Sequence, residues 1–130
     1  MRLVLTRIIL VMLGGSLGAL CRYGVALAAG RLIGARFPWG TLIANLTGCF
    51  LIGVSFALVE RTNLLSPSAR LLFMTGFLGA LTTFSTYALE TVNSIRGDTW
   101  LVAVTNIIVN NAAGLCLVLG GIWLVRLLRP

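Results

Sequence analysis

Apolar positions fall into four long runs, roughly residues 5–30, 40–59, 71–92 and 100–125, separated by the short segments 31–38, 60–70 and 93–99. Each run approaches or exceeds the ~20 mostly apolar residues that a helix needs to cross a hydrocarbon core. The runs do not alternate as barrel strands do, and they are too long for them. A helix satisfies its own backbone N–H and C=O groups, as lipid demands. The pattern predicts an all-α membrane protein, a single domain of four transmembrane helices over residues 1–130. Arg2 and Arg7 look like the start of a cleavable signal peptide. However, Arg22 and Tyr23 follow with no small-residue cleavage pattern, and three more spans come after. Trp39, Trp100 and Trp123 fall at predicted span ends, where amphipathic rings sit at headgroup level.

Composition agrees with that reading. The chain is 58% hydrophobic and 10% charged, with a mean hydropathy of +1.03. A soluble domain carries about 25% charged residues. There is no His and no Lys, and the acids are Glu60, Glu90 and Asp98. That leaves no His-based acid–base chemistry, no carboxylate pair in a cleft and little for a metal cluster. No GxGxxG or Walker-type loop is present, so an enzyme is the least supported class. Cys21, Cys49 and Cys116 lie in spans at no ligand spacing and read as buried thiols packing like small apolar groups.

The basic residues are all arginines, and the net charge is +7. Arg2, Arg7, Arg61, Arg70, Arg126 and Arg129 share one side of the predicted topology; Arg31, Arg36 and Arg96 share the other. Six against three leans towards cytoplasmic termini and leaves insertion in both orientations open. Scattered arginines without a stripe read as topology signal and lipid-headgroup contact, not as a nucleic-acid surface.

Four short helices enclose hardly any interior, so a solute path belongs at an interface between protomers, and an oligomer is expected. Gly14 and Gly18 form a GxxxG pair, widened by Gly15, Ser16 and Ala19, on which another helix can approach closely. Arg22 lies on the same face. It either snorkels to the membrane surface or attracts anions at a pore mouth. Asn45 is the strongly polar group deep in the second span. Asn106 and Asn110 share a face of the fourth with Gly114, and Asn111 lies beside them. These amides either glue helices together or line a narrow polar track whose N–H groups can meet an anion.

The third span holds Gly76 and Gly79, then Thr82, Thr83, Ser85 and Thr86 interleaved with Phe84 and Tyr87. Glycine and β-branched threonine make a poor helix, which predicts a break near residues 79–83. Irregular backbone at that depth is tolerated only where it faces protein, water or an ion. Carbonyls from one half suit a cation and amides opening the next half suit an anion. Phe84 and Tyr87 share a face just past the break. They either pack or offer positive ring edges to an anion. Glu90, one turn beyond, either borders the same path or marks the helix end.

GTLIANLTG at residues 40–48 and TGFLGALTTFSTYALE at residues 75–90 resemble the fluoride-exporting CrcB/Fluc channels of bacteria. The glycine-rich first helix with Arg22 and the Asn106–Asn110 spacing fit as well, and the resemblance spans essentially the whole chain. It implies a homodimer of four-helix protomers inserted antiparallel in the bacterial inner membrane, with two fluoride pores along the protomer interface. A structural sodium ion would sit centrally on the backbone carbonyls of Gly79 and Thr82. Asn45, Phe84 and Tyr87 would line each pore, Ser85, Thr86 and Asn110 would extend the polar track, and Arg22 and Glu90 would border it. Two departures stand out: Tyr87 where the family usually has Phe, and Ala80 in place of a common second Gly. The Tyr87 hydroxyl either adds a donor or narrows the pore.

The physics is compatible with such a channel. Neutral donors replace the water around fluoride without a full positive charge that would trap it, and conduction needs binding weak enough to release. An inside-negative potential of 100 mV drives an anion outward by roughly 2.3 kcal/mol per charge, so export needs no ATP. A competing reading is a small dual-topology, proton-coupled drug exporter. That requires an embedded carboxylate, and the first helix has no acid. A packing subunit of a larger complex is the non-transport alternative.

Overall fold

The structure, a computed structural model, describes residues 2–62 and 64–128. Arg129, counted above in the topology, lies outside them. The first span is α1 (Arg2–Leu32) and the second α2 (Trp39–Thr62). The third comprises a short turn α3 (Pro67–Ala69), a π-helical segment π1 (Arg70–Leu78), α4 (Gly79–Leu81) and, after an interruption, α5 (Phe84–Arg96). The fourth comprises α6 (Trp100–Ile108), a second π-helical segment π2 (Val109–Ala113) and α7 (Gly114–Leu128). No strand occurs among the described residues. Four stretches are long and apolar enough to cross a membrane: Arg2–Leu32, Trp39–Arg61, Pro67–Arg96 and Trp100–Leu128.

These helices outrun the predicted apolar cores. Arg31, Glu60, Arg61, Arg70 and Arg96, expected in connections, sit within helical ends. Helical hydrogen bonding continues past the apolar stretch, and long arginine stems let the charge reach water from the last turns. The ends have local causes. Gly34 takes a φ of +104°, and the N–H groups of Ile33 and Gly34 both donate to the Ala29 carbonyl, closing α1. Ser66 opens the third span by accepting from the Ala69 N–H at 3.2 Å, with Pro67 in the first helical position. The two π segments had no signature in the apolar pattern.

Close approach of backbones holds the bundle together. The face of α1 carrying Gly14 and Gly18 lies on π1 and α4. A Cβ at Gly14 would strike the Leu72 carbonyl, and one at Gly18 the Phe77 carbonyl. Gly76 answers from the other side against the Val11 carbonyl and Gly14. The GxxxG expectation therefore holds, and its partner is the first half of the third span. A second seam joins α2 to α7, where Gly53 meets the Val118 backbone and Gly121 meets that of Phe50 and Val54. In lipid, helices associate through such packing and through hydrogen bonds, because the surroundings are as apolar as leucine. Ala44, Leu78 and Leu81 form the small buried core, backed by Val25, Leu51, Ile52, Phe73 and Phe77, immediately before the interruption in the third span.

Gly18→Ala is expected to destabilise the protein by about 1–3 kcal/mol or more, as overpacking does when only backbone can yield. Gly24, on the same helix with nothing within 4 Å of where a methyl group would sit, is the control. Gly24→Ala leaves thermal melting in detergent unchanged or raises it. Equal melts for the two variants would contradict the close-packed seam.

Candidate functional site: the interrupted third span and its polar groove

The interruption falls at Thr82 and Thr83, which have extended backbone (φ −84°, ψ 152° and φ −151°, ψ 120°). It lies within the predicted window. The Leu78 carbonyl keeps its helical donor, the Thr82 N–H, at 3.1 Å, and the carbonyls of Gly79, Ala80 and Leu81 that follow lose theirs, as at any helix end. Thr83 starts the next helix: its Oγ1 accepts from the Thr86 N–H at 3.2 Å, an N-cap, and donates to Thr86 Oγ1 at 3.0 Å. Ser85 lies against the same hydroxyl at 3.3 Å. Thr82 donates its own hydroxyl back to the Leu78 carbonyl at 3.1 Å.

Side chains from two other spans satisfy the broken backbone. Asn45, on α2, takes both main-chain groups of Thr83: Oδ1 accepts from the Thr83 N–H at 2.8 Å and Nδ2 donates to the Thr83 carbonyl at 3.2 Å. Arg22 reaches from α1, and its Nε donates to the Ala80 carbonyl at 3.0 Å. A cation at a helix C-terminus also complements the helix dipole. Neither sequence alternative for Arg22 describes this contact. The helix runs on to Leu32, so the arginine is not at its end, and it caps the first half of the third span.

A chain of amides runs away from the interruption. Asn45 Nδ2 also donates to Asn110 Oδ1 at 3.0 Å. Asn110 Nδ2 donates to Asn106, at 2.7 Å to Oδ1 and 3.2 Å to the carbonyl. Asn106 is 1% exposed. Its Nδ2 donates to Thr91 Oγ1 at 2.9 Å, and that hydroxyl donates to the Tyr87 carbonyl at 2.9 Å. The asparagines thus join the second, third and fourth spans in one hydrogen-bond network, as the helix-gluing reading expects.

A groove of about 430 Å³ opens beside the interruption, and its walls include Asn45, Gly79, Thr82, Phe84, Tyr87 and Asn110. Phe84 is 78% exposed in the single chain and Tyr87 is 9% exposed. Their ring centroids are 5.5 Å apart with planes inclined at 60°. Ser85 and Thr86 attach to the groove through Thr83. Gly79 and Thr82 contribute carbonyls whose helical donors are diverted: the Thr83 N–H goes to Asn45, and the Thr86 N–H goes to the Thr83 hydroxyl. Hard, neutral oxygens without a donor suit a hard monovalent cation, so these two positions fit the ion that the resemblance implies.

Glu90 does not join this groove. It borders a second recess of about 340 Å³, with Arg36, Trp39, Asn93 and Ser94. Its Oε1 accepts from Thr41 Oγ1 at 2.8 Å, while Oε2 is buried without a partner among the described residues. The sequence reading missed Thr41, Thr83 as the cap, Thr91, and the pairing of Asn111 with Tyr87. Only the Thr83 role had a local signal, a hydroxyl immediately before a new helical run.

This arrangement defines a multi-pass membrane protein built around a discontinuous helix. Residues 9–122 match the family described as CrcB-like protein, Camphor Resistance (CrcB), and the chain belongs to that family. Its relatives include proteins named fluoride-specific ion channel FluC. One from Nitrosococcus oceani is 43% identical over 111 residues, covering 85% of this chain and 89% of the relative. One from Salinibacter ruber is 46% identical over 113 residues, covering 86% and 84%. One from Hahella chejuensis is 43% identical over 121 residues, covering 93% and 95%.

Asn45→Leu orphans both main-chain groups of Thr83, at about 1–3 kcal/mol each, and should sharply lower the yield of folded protein and its melting temperature in detergent. Thr83→Ala removes the cap and costs about 1 kcal/mol, most of which Thr83→Ser restores. A Thr83→Ala melt matching that of Thr83→Ser would remove the cap from the account.

Proposed function

We propose that the protein is a fluoride-selective channel that lets fluoride leave the cytoplasm passively, in the bacterial inner membrane, and so lowers cytoplasmic fluoride toxicity. Membership of the CrcB-like family, whose relatives above carry the name fluoride-specific ion channel, is the observation that carries this reading. The groove gives it a chemical basis. A small, strongly hydrated anion entering there meets ring edges and hydroxyls, not a full positive charge, so it is held weakly enough to leave. The membrane potential supplies the direction, and no enzymatic step is needed.

Asn45 and Asn110 shape the wall and keep the interruption open. Phe84 and Tyr87 present ring edges, Ser85 and Thr86 extend the polar lining, and Arg22 holds the first half-helix in place. Glu90 and Thr41 line a separate recess. A proton-coupled exporter would place its carboxylate in the substrate's path, and Glu90 stands outside the groove.

The functional unit in this reading is an antiparallel homodimer. Phe84 is 78% exposed in the single chain, an apolar ring beside an open groove that a second copy would cover. Sodium is the structural ion of that assembly, held by the Gly79 and Thr82 carbonyls. When bound, it would offset the partial negative charge of those oxygens.

Purified protein in liposomes should release fluoride, followed with a fluoride electrode, and should release chloride far more slowly. Absence of fluoride flux overturns the proposal. Phe84→Ile is expected to lower fluoride efflux about tenfold, the factor set by roughly 1.4 kcal/mol, while the assembly persists. Light scattering in detergent should give twice the 13.9 kDa chain mass, and a monomer there would remove the homodimer.

A further inference from the structure

The amide and threonine side-chain donors that line the groove can be followed to their acceptors among the described residues. Asn45 gives both amide protons to the protein, one to the Thr83 carbonyl and one to Asn110. Asn110 gives its amide to Asn106. Thr82 donates to the Leu78 carbonyl and Thr83 to Thr86. Asn111 donates to the Ile107 carbonyl at 2.8 Å and to the Tyr87 hydroxyl oxygen at 3.1 Å. The asparagine amides and the Thr82 and Thr83 hydroxyls therefore spend their donors on holding the protein together.

Tyr87 is different. Its phenol oxygen accepts from Asn111, and the direction is fixed independently: the Asn111 nitrogen must face the Ile107 carbonyl, since a carbonyl accepts only from an N–H or O–H. A phenol has one proton and two lone pairs. With a lone pair taken by Asn111, its proton has no acceptor among the described residues, while the side chain lines the groove. An uncommitted donor in a nearly buried side chain needs a partner. Asn111, its orienter, lies on the π2 segment next to Asn110, and both neighbours line the groove.

We propose that the Tyr87 hydroxyl, oriented by Asn111, donates a hydrogen bond to the small hard anion in the groove and sets the protein's affinity for fluoride over larger halides. This rests on the channel reading of the same groove. Tyr87 contacts the anion; Asn111 is a positioning residue that acts only through it. The compact charge of fluoride gains most from a short O–H contact, whereas a larger halide held at greater distance gains less. The hydroxyl therefore adds selectivity beyond what two ring edges provide.

The test measures efflux from liposomes at graded fluoride concentration for the native protein, Tyr87→Phe, Asn111→Leu and the double variant. Native fluoride flux establishes the channel reading, and its absence sinks that reading and this one together. Given native flux, Tyr87→Phe should still pass fluoride but with a half-saturating concentration raised about tenfold, the scale of one hydrogen bond to an anion, and with a smaller preference over chloride. Asn111→Leu should raise it less, and the double variant should match Tyr87→Phe. A native half-saturation in Tyr87→Phe overturns the donor role and leaves the channel reading standing. Additive effects in the double variant overturn the positioning role. A structural hydrogen bond alone would lower melting without moving half-saturation.

A second measurement does not depend on the variants at these two positions folding. The chain has 2 tyrosines, and Tyr23 is 64% exposed on α1. In the Tyr23→Phe protein, fluoride should shift the near-ultraviolet absorbance of Tyr87 and chloride should not. No shift at saturating fluoride counts against the contact.

Discussion

The fold depends on one side-chain amide meeting both main-chain groups of one residue. A helix interrupted at membrane depth exposes N–H and C=O groups that lipid cannot satisfy, at several kcal/mol for each left bare. Asn45 answers by accepting from the N–H of Thr83 and donating to its carbonyl, and it still reaches Asn110. Arg22 takes the Ala80 carbonyl. The interruption is stable because α1, α2 and the fourth span each bring a polar group to it.

Those groups arrive only if the helices come very close, and the glycines permit this. Gly14, Gly18 and Gly76 let α1 lie directly on the first half of the third span, within reach of the Arg22 guanidinium. Gly53 and Gly121 do the same for α2 and α7, which brings Asn45 and Asn110 to hydrogen-bonding distance. The small-residue seams and the polar network depend on each other. The seams set the distances, and the network gives the interrupted backbone its partners.

This design also explains why a chain with so few charges can have a polar groove. Most donors near the interruption are consumed internally, so the groove offers neutral surfaces of modest attraction: ring edges, a phenol and carbonyls. Such a lining suits a solute that must shed water and then leave. A carboxylate does exist inside the third span, at Glu90, but it lies in a different recess beside Thr41 and away from the groove.

The chain's sequence determined much of this directly. Run length and composition fix four membrane helices, because about 20 apolar residues are both necessary for crossing and hard to place elsewhere. Glycine and paired threonines fix the window of the interruption, since local propensity acts over a few residues. The stretch from Gly76 to Tyr87 also carries the family resemblance. Only the tertiary structure decided who satisfies whom. Arg22 is 58 residues from its carbonyl and Asn45 is 38 from Thr83. The π turns that carry Asn110 and Asn111, the pairing of Asn111 with Tyr87, and the separation of Glu90 from the groove have no periodicity to announce them. Hydrogen bonds between spans depend on helix rotation and depth, and these are set by packing against neighbours, which no local pattern encodes.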